Sequence, residues 1–242
     1  MTKKEHKTVL VTGAARRVGR AIAIECATNG YGVIAHYGKS REEIRSLEKE
    51  VKELGVPFYA IKQDLSVNPE KLIQQCVKLD RNLYGVINNA SIFEKCNLMD
   101  NTTESKRIFQ INTLSPLAII RDFASFCKKG FIINLLDANI DTPHSEFQVY
   151  RLSKRMLREI TLEMAYLLAP EIRVNGIAPG AVLPSKFSGS GKAKPIPAPM
   201  QNGGSVEDVT VAVRYLINNS NITGQILYAD GGMHLHGHHN HS

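Results

Sequence analysis

Tyr150 and Lys154 stand four residues apart, and thirteen residues before the tyrosine an acid, Asp137, ends the apolar run "IINLL". On a helix, residues i and i+4 share a face, so the Lys154 ammonium would sit beside the Tyr150 phenol. A phenol titrates near ~10 in water, and a neighbouring positive charge lowers that value toward working pH, as a general acid requires. If Ile132–Leu136 is a buried strand, Asp137 lies at its carboxyl end, where open α/β sheets collect their ligands. Taken singly, Tyr150 is equally a packed aromatic and Asp137 a loop or helix-capping acid. The elements around them decide.

Those elements alternate. Short β-branched runs ("TVLVT", "YGVIAH", "FYAIK", "YGVINN", "FIINLL", "IRVNGIA", "QILYAD") are separated by helix-like segments. The longest helical segments are 103–127 and 147–169. Gly30, Gly55 and Gly130 fall where helices would stop, and Ser205 with Asp208 forms the pattern of a capping box. This rhythm predicts an α/β, Rossmann-type doubly wound fold, with about seven parallel strands and helices on both faces. At 242 residues one domain or two smaller ones are open. No repeat or linker appears, so we read one domain over 1–233.

Two segments break the rhythm. Residues 180–204 are rich in Gly, Pro, Ser and Lys and read as a long loop on the ligand side. The tail 234–242 holds five of the eight histidines. Metal capture is weighed against a flexible or appended tail, and the latter is preferred. Cys26, Cys76, Cys96 and Cys127 show no CxxC or zinc-ligand spacing, which argues for a reduced compartment and no metal site. The N-terminus has too short an apolar run for a signal peptide, and no stretch would span a bilayer, so a cytoplasmic protein is expected. The net charge of +7 suits an anionic cofactor or substrate. Its basic residues are scattered without a nucleic-acid motif, so neither nucleic acid nor membrane is expected as a partner.

The first strand runs into Gly13, and Gly19 opens the first helix. Glycines there permit a tight turn and let backbone N–H groups approach a pyrophosphate at the helix N-terminus. The second strand ends in His36, Tyr37, Gly38, Lys39 and Ser40. No acid occupies the tip, where NAD-specific folds place one for the ribose hydroxyls. A 2′-phosphate would meet donors there, with Arg16 and Arg17 as further candidates. NADPH/NADP+ is the expected cofactor. Glu42 and Glu43 belong to the next helix, where acids suit the macrodipole.

From about Thr8 to Met233 the chain resembles the short-chain dehydrogenases/reductases. The motifs are the Gly13–Gly19 turn, "QDL" at Gln63–Leu65, "NNA" at Asn88–Ala90, a helical Asn112, Tyr150-x-x-x-Lys154, and Pro179–Gly180. The resemblance implies cofactor contacts from Gly13, Val18, Gly19, Asp64 (beside the adenine), Leu65, Asn89, Ala90, Ser91, Tyr150, Pro179 and Gly180. It further implies that Lys154 binds the nicotinamide ribose and that Asn112 holds a relay water. Most members carry Ser where this chain has Asp137, Gly where it has Arg17, and NNAG where it has "NNASIF". Together with the strand end "HY-x-[RK]-S", these departures resemble the pteridine reductases, including bacterial dihydromonapterin and dihydrofolate reductases.

The resemblance implies NADPH-dependent reduction of a pterin or folate. Phe93 would form one face of a sandwich, with Ser91 and Arg17 at the ring edge or phosphate. Asp137, hydrogen-bonded to Tyr150, would help protonate a ring nitrogen. A homotetramer built on helices 103–127 and 147–169 is implied too. Two alternatives stand beside this reading: a 3-oxoacyl-carrier-protein reductase, and a non-catalytic NADP(H)-binding sensor.

Overall fold

The computed structural model describes residues 6–100, 102–141, 146–182 and 198–238. All seven expected strands form: β1 (Thr8–Val11), β2 (Gly32–Tyr37), β3 (Phe58–Lys62), β4 (Leu83–Asn88), β5 (Gly130–Leu135), β6 (Ile172–Pro179) and β7 (Ile226–Ala229). They make one parallel sheet in the order β3-β2-β1-β4-β5-β6-β7. The direction of winding reverses between β1 and β4, which opens a crevice at their carboxyl ends.

Strand parity divides the core into two layers. Val9, Val11, Val33, Ala35, Phe131 and Ile133 face α1 (Arg17–Thr28), α2 (Arg41–Glu53) and α7 (Val206–Asn218). Leu10, Ile34, Val86 and Ile132 face the other side, against α3 (Lys71–Leu79), α5 (Ser115–Phe126) and α6 (Gln148–Leu167). Because both faces are covered, the central strands β1, β2, β4 and β5 are almost wholly buried. Ser205 caps α7 through the expected box with Asp208.

The segment 103–127 is more particular than its periodicity suggests. It consists of α4 (Thr103–Phe109), a π-helical turn (Gln110–Leu114) and α5, with Asn112 inside the π turn. Ser115 Oγ reaches Leu65 O at 2.6 Å and Gln110 O at 2.7 Å, tying the turn to the loop after β3. Such insertions concentrate at functional sites.

Two expectations are corrected. Gly130 does not stop a helix; it opens β5, at a position where a Cβ would lie 2.2 Å from Tyr84 O. The packed chain also runs past residue 233, through a 3₁₀ turn over Met233–His238. Buried Asp230 fastens this turn, accepting from His234 N at 2.7 Å and meeting His234 Nδ1 at 2.8 Å. The centre of the loop 180–204 (183–197) and residues 239–242 of the tail lie outside the described residues. Among the described residues, no helix is long and apolar enough to cross a membrane.

Candidate active site

The catalytic candidates meet at the carboxyl ends of β4 and β5. Tyr150 and Lys154 are buried on the first two turns of α6. The Tyr150 hydroxyl donates to Asp137 Oδ2 at 2.8 Å, and Asn139 N donates to Asp137 Oδ1 at 2.7 Å. Asp137 is therefore fixed from both oxygens, by the phenol and by its own loop. The main chain around it is pinned as well, with Ala138 N on Pro179 O at 2.9 Å.

Lys154 has a main-chain partner. Its ammonium donates to the carbonyl of Leu135 at 2.7 Å. Burial brings its pKa down to about 8, with the Asp137 carboxylate opposing that shift. The expected lowering of the Tyr150 pKa is overturned. Burial first, then the Asp137 charge and hydrogen bond, push the phenol well above its usual value. Burial and a carboxylate at hydrogen-bond distance both disfavour the phenolate.

Asn112 is fully buried and binds three elements together. Its Oδ1 accepts from Ile92 N at 2.8 Å and Ser91 Oγ at 3.1 Å. Its Nδ2 donates to Ile92 O at 2.9 Å and Ser153 Oγ at 3.1 Å. Both amide protons and both lone pairs of the oxygen are used. The relay water expected on this side chain finds no free donor or acceptor on it.

Phe93 stacks on Phe147, with ring centroids 4.4 Å apart and planes 7° from parallel. It also meets the Tyr150 ring edge-to-face at 4.7 Å. Phe147, the residue that precedes α6, is a site neighbour the sequence reading missed. Its only local signal is an aromatic just ahead of the Tyr-x-x-x-Lys helix.

At the other end of the crevice, the turn after β1 is packed backbone to backbone. Gly13 has φ +65°, and a Cβ on Gly19 would lie 2.2 Å from Gly13 O and 2.4 Å from Asn89 Nδ2. Asn89 Nδ2 donates to Thr12 O at 2.8 Å. Thr12, unread in the sequence, accepts at Oγ1 from Asn89 N at 2.9 Å and Ala90 N at 3.0 Å. Val18 is half-buried beside them. Arg17 occupies the left-handed region with φ 53°. A non-glycine residue there costs of order 1–3 kcal/mol, and such strain clusters at functional sites.

The expected 2′-phosphate group separates into two sets. His36 is buried; Gly13 N donates to its Nδ1 at 3.2 Å, and its Nε2 lies 3.0 Å from Gln63 O. Burial lowers its pKa to about 4, so the ring is neutral and props the turn. Lys39 is exposed, Tyr37 and Ser40 are half-buried, and Ser40 stands at the N-cap of α2. Exposed Arg16 pairs with Glu43 of α2. Asp64 accepts from Ser66 N at 2.9 Å and Ser66 Oγ at 2.7 Å, which, with minor help from Arg107 and Lys39, holds its carboxyl below the usual range. Leu65 is buried, and Gly180 N bonds Ala229 O at 3.0 Å.

Between the two ends runs a buried chain of amides. Asn88 Nδ2 donates to Asn134 Oδ1 at 2.8 Å, and Asn134 Nδ2 to Thr161 Oγ1 at 2.9 Å. It links β4, β5 and α6, the elements that carry or adjoin the catalytic candidates.

Comparison with known proteins agrees with this fold. The profile of the short chain dehydrogenase family matches residues 7–194. The structure of FolM alternative dihydrofolate reductase 1 from Brucella canis, complexed with NADP, superposes with a TM-score of 0.86 at 30% identity, covering 94% of each chain. A 3beta-hydroxysteroid dehydrogenase from Eggerthella lenta is 32% identical over 95% of this chain and 94% of its own length. A 3-oxoacyl-[acyl-carrier-protein] reductase from Staphylococcus aureus is 28% identical over 96% of this chain and all of its own.

Proposed function

Because the chain belongs to the short-chain dehydrogenase family, we propose that it is an NADPH-dependent reductase of a pterin, either a dihydropterin, dihydrofolate or an oxidised pterin. The observation that carries this reading is the 2.8 Å bond from the Tyr150 hydroxyl to Asp137. An acid wired to the phenol suits protonation of a ring nitrogen, whereas a carbonyl reducer needs only a hydroxyl donor. The NADP-bound dihydrofolate reductase of Brucella canis supports it.

The cradle of Gly13 and Gly19, where added Cβ atoms would strike backbone and Asn89, fits a pyrophosphate laid on the N-terminus of α1. Lys39, Ser40 and Arg16 would receive the 2′-phosphate, and Asp64 would stand beside the adenine. Lys154 would hold the nicotinamide ribose. The cofactor, when bound, supplies a hydride. This chain's side chains supply the proton. Tyr150 would pass its proton to the ring nitrogen and recover one from water by way of half-exposed Asp137, to which its hydroxyl is bonded. Phe93 stacks on the pterin, and Ser91 with Arg17 holds its edge.

A carbonyl-reducing reading is favoured by the Staphylococcus relative, since Tyr150, Lys154 and Asn112 serve that chemistry equally. NADPH oxidation measured side by side with dihydropterins, dihydrofolate and acetoacetyl thioesters separates the two. Turnover of the pterins is expected. Rapid thioester reduction with no activity on any pterin would overturn the reading, and cofactor binding without turnover of anything would favour a sensor.

We also propose a cytoplasmic homotetramer. Leu152, Met156, Leu162 and Tyr166 are exposed along one arc of α6, opposite Tyr150 and Lys154. Sedimentation equilibrium is expected to return four chains; a monomer at micromolar concentration would end that proposal.

A further inference from the structure

Helices α1 and α2 are joined by two ionic rungs of unlike character. In the lower rung, Arg20 of α1 grips Glu50 at 2.7 Å through both nitrogens and reaches Ser46 at 3.1 Å. In the upper rung, one turn nearer the crevice, Arg16 pairs with Glu43. The Arg16 side chain is 61% exposed against 24% for Arg20. The lower rung is the less exposed and the more fully bonded of the two, so the upper one is the easier to exchange. It stands where α1 begins, beside the Ser40 N-cap of α2 and Lys39.

We propose that Glu43 is a built-in competitor for the cofactor's 2′-phosphate, occupying Arg16 in the free protein and giving it up when a dinucleotide phosphate binds. The inference rests on the NADP(H) reading of this pocket. A phosphate dianion outbids a single carboxylate for a guanidinium, since it brings more charge and more acceptor oxygens. An exposed ion pair is weak enough to be exchanged. Glu43 would therefore temper NADP(H) affinity, easing release of the spent cofactor, and leave NAD(H), which has no 2′-phosphate, unaffected.

The test is equilibrium binding of NADPH and NADH by fluorescence titration at low ionic strength, on the full chain. Glu43→Gln is expected to tighten NADPH about three- to tenfold, with NADH changed by less than about twofold. Arg16→Gln is expected to weaken NADPH selectively. In the Arg16→Gln background, Glu43→Gln is expected to have no effect. Glu42→Gln makes the same charge change in the same helical turn and serves as the control for bulk electrostatics, while Glu50→Gln tests whether loosening the helix pair has any effect of its own. Unchanged or weaker NADPH binding in Glu43→Gln, an equal gain in Glu42→Gln, or a gain that survives without Arg16 would overturn the proposal. A wild-type protein that binds both cofactors equally would instead remove the NADP(H) reading beneath it.

Discussion

At the end of β1, polar groups are bound to one another largely through the main chain: Thr12 to Asn89 N and Ala90 N, His36 to Gly13 N and Gln63 O. At the ends of β5 and α6 the decisive bond joins two ionisable side chains, Tyr150 and Asp137, with Lys154 buried beside them. The first region shapes a surface by excluding side chains, as Gly19 shows. The second concentrates groups whose protonation is shifted by burial. Changes in the first region should therefore be felt as lost folding or cofactor affinity. Changes in the second should leave the fold intact and remove rate.

The largest effect tests that division at its centre. Tyr150→Phe keeps the ring contact with Phe93 and deletes only the hydroxyl, so NADPH binding should persist while turnover falls roughly 10²–10⁴-fold, the usual share of a positioned general acid. Lys154→Ala should reduce both, because the ammonium is bound to the β5 backbone and, on the proposed reading, would hold the nicotinamide ribose. Near-normal rates for Tyr150→Phe on the best substrate would remove the phenol from the mechanism.

Next comes Asp137, the acid on which the pterin reading rests. Asp137→Asn retains the shape, and Asp137→Ser restores the residue common among ketone reducers. Both should fold and bind NADPH, and both should lose on the order of 10²-fold in pterin turnover. The loss should be greatest for an oxidised pterin. Equal activity of Asp137→Asn and the unmodified protein on every pterin would mean that the carboxylate takes no part in proton delivery.

Sequence legibility follows the same division. Tyr150, Lys154 and Asp137 were readable because helix spacing and a strand end place them locally. The partner of Lys154 was not, because the Leu135 carbonyl is brought to it by packing of α6 on β5. The sequence groups His36 and Tyr37 together at the cofactor end of β2, although strand parity sends adjacent residues to opposite faces. His36 follows Ile34 inward, while Tyr37 shares the face of Val33 and Ala35. The π turn around Asn112 had no local signature: an amphipathic pattern survives one extra residue, and what fixes the turn is Ser115 reaching Leu65 O. Phe147 escaped notice because its stacking partner lies far away in sequence.

The buried imidazole of the first region yields a pH prediction of intermediate size. His36 titrates at about 4 in the folded protein, against about 6.5 for an ordinary histidine. Between those values the unfolded chain binds a proton that the folded chain refuses, so stability falls as pH drops through that window and is unaffected above it. The loss approaches ~3 kcal/mol by pH 4 as an upper bound. Urea unfolding of the unmodified protein and His36→Asn between pH 4.5 and 7 measures it as a difference in slope. Parallel slopes would show that His36 accepts a proton in the fold and does not buttress the turn as a neutral ring.

The smallest expected change lies at the boundary between the two regions, on the loop after β4. Phe93 is 36% exposed, lies flat on Phe147 and touches Tyr150 edge-to-face, so it is held in place without being part of the main core. Truncation should cost little stability, since Phe147 retains Cys96, Ile108 and Val149 as neighbours. Stacking of a comparable heterocycle on an aromatic ring contributes roughly 1–3 kcal/mol. Phe93→Ala should raise the pterin KM by about 5- to 100-fold and leave NADPH affinity as it was. Turnover at saturation should change far less, because the proton donors are untouched. Phe93→Leu, which preserves bulk without a π face, should fall between the two, and a 2,4-diaminopyrimidine or diaminopteridine inhibitor should lose affinity in parallel with the substrate. If the pterin KM stayed constant across Phe93, Leu and Ala, the ring would belong with Phe147 as packing. The pterin would then have to be recognised from its edges alone, by Arg17, Ser91 and Asp137.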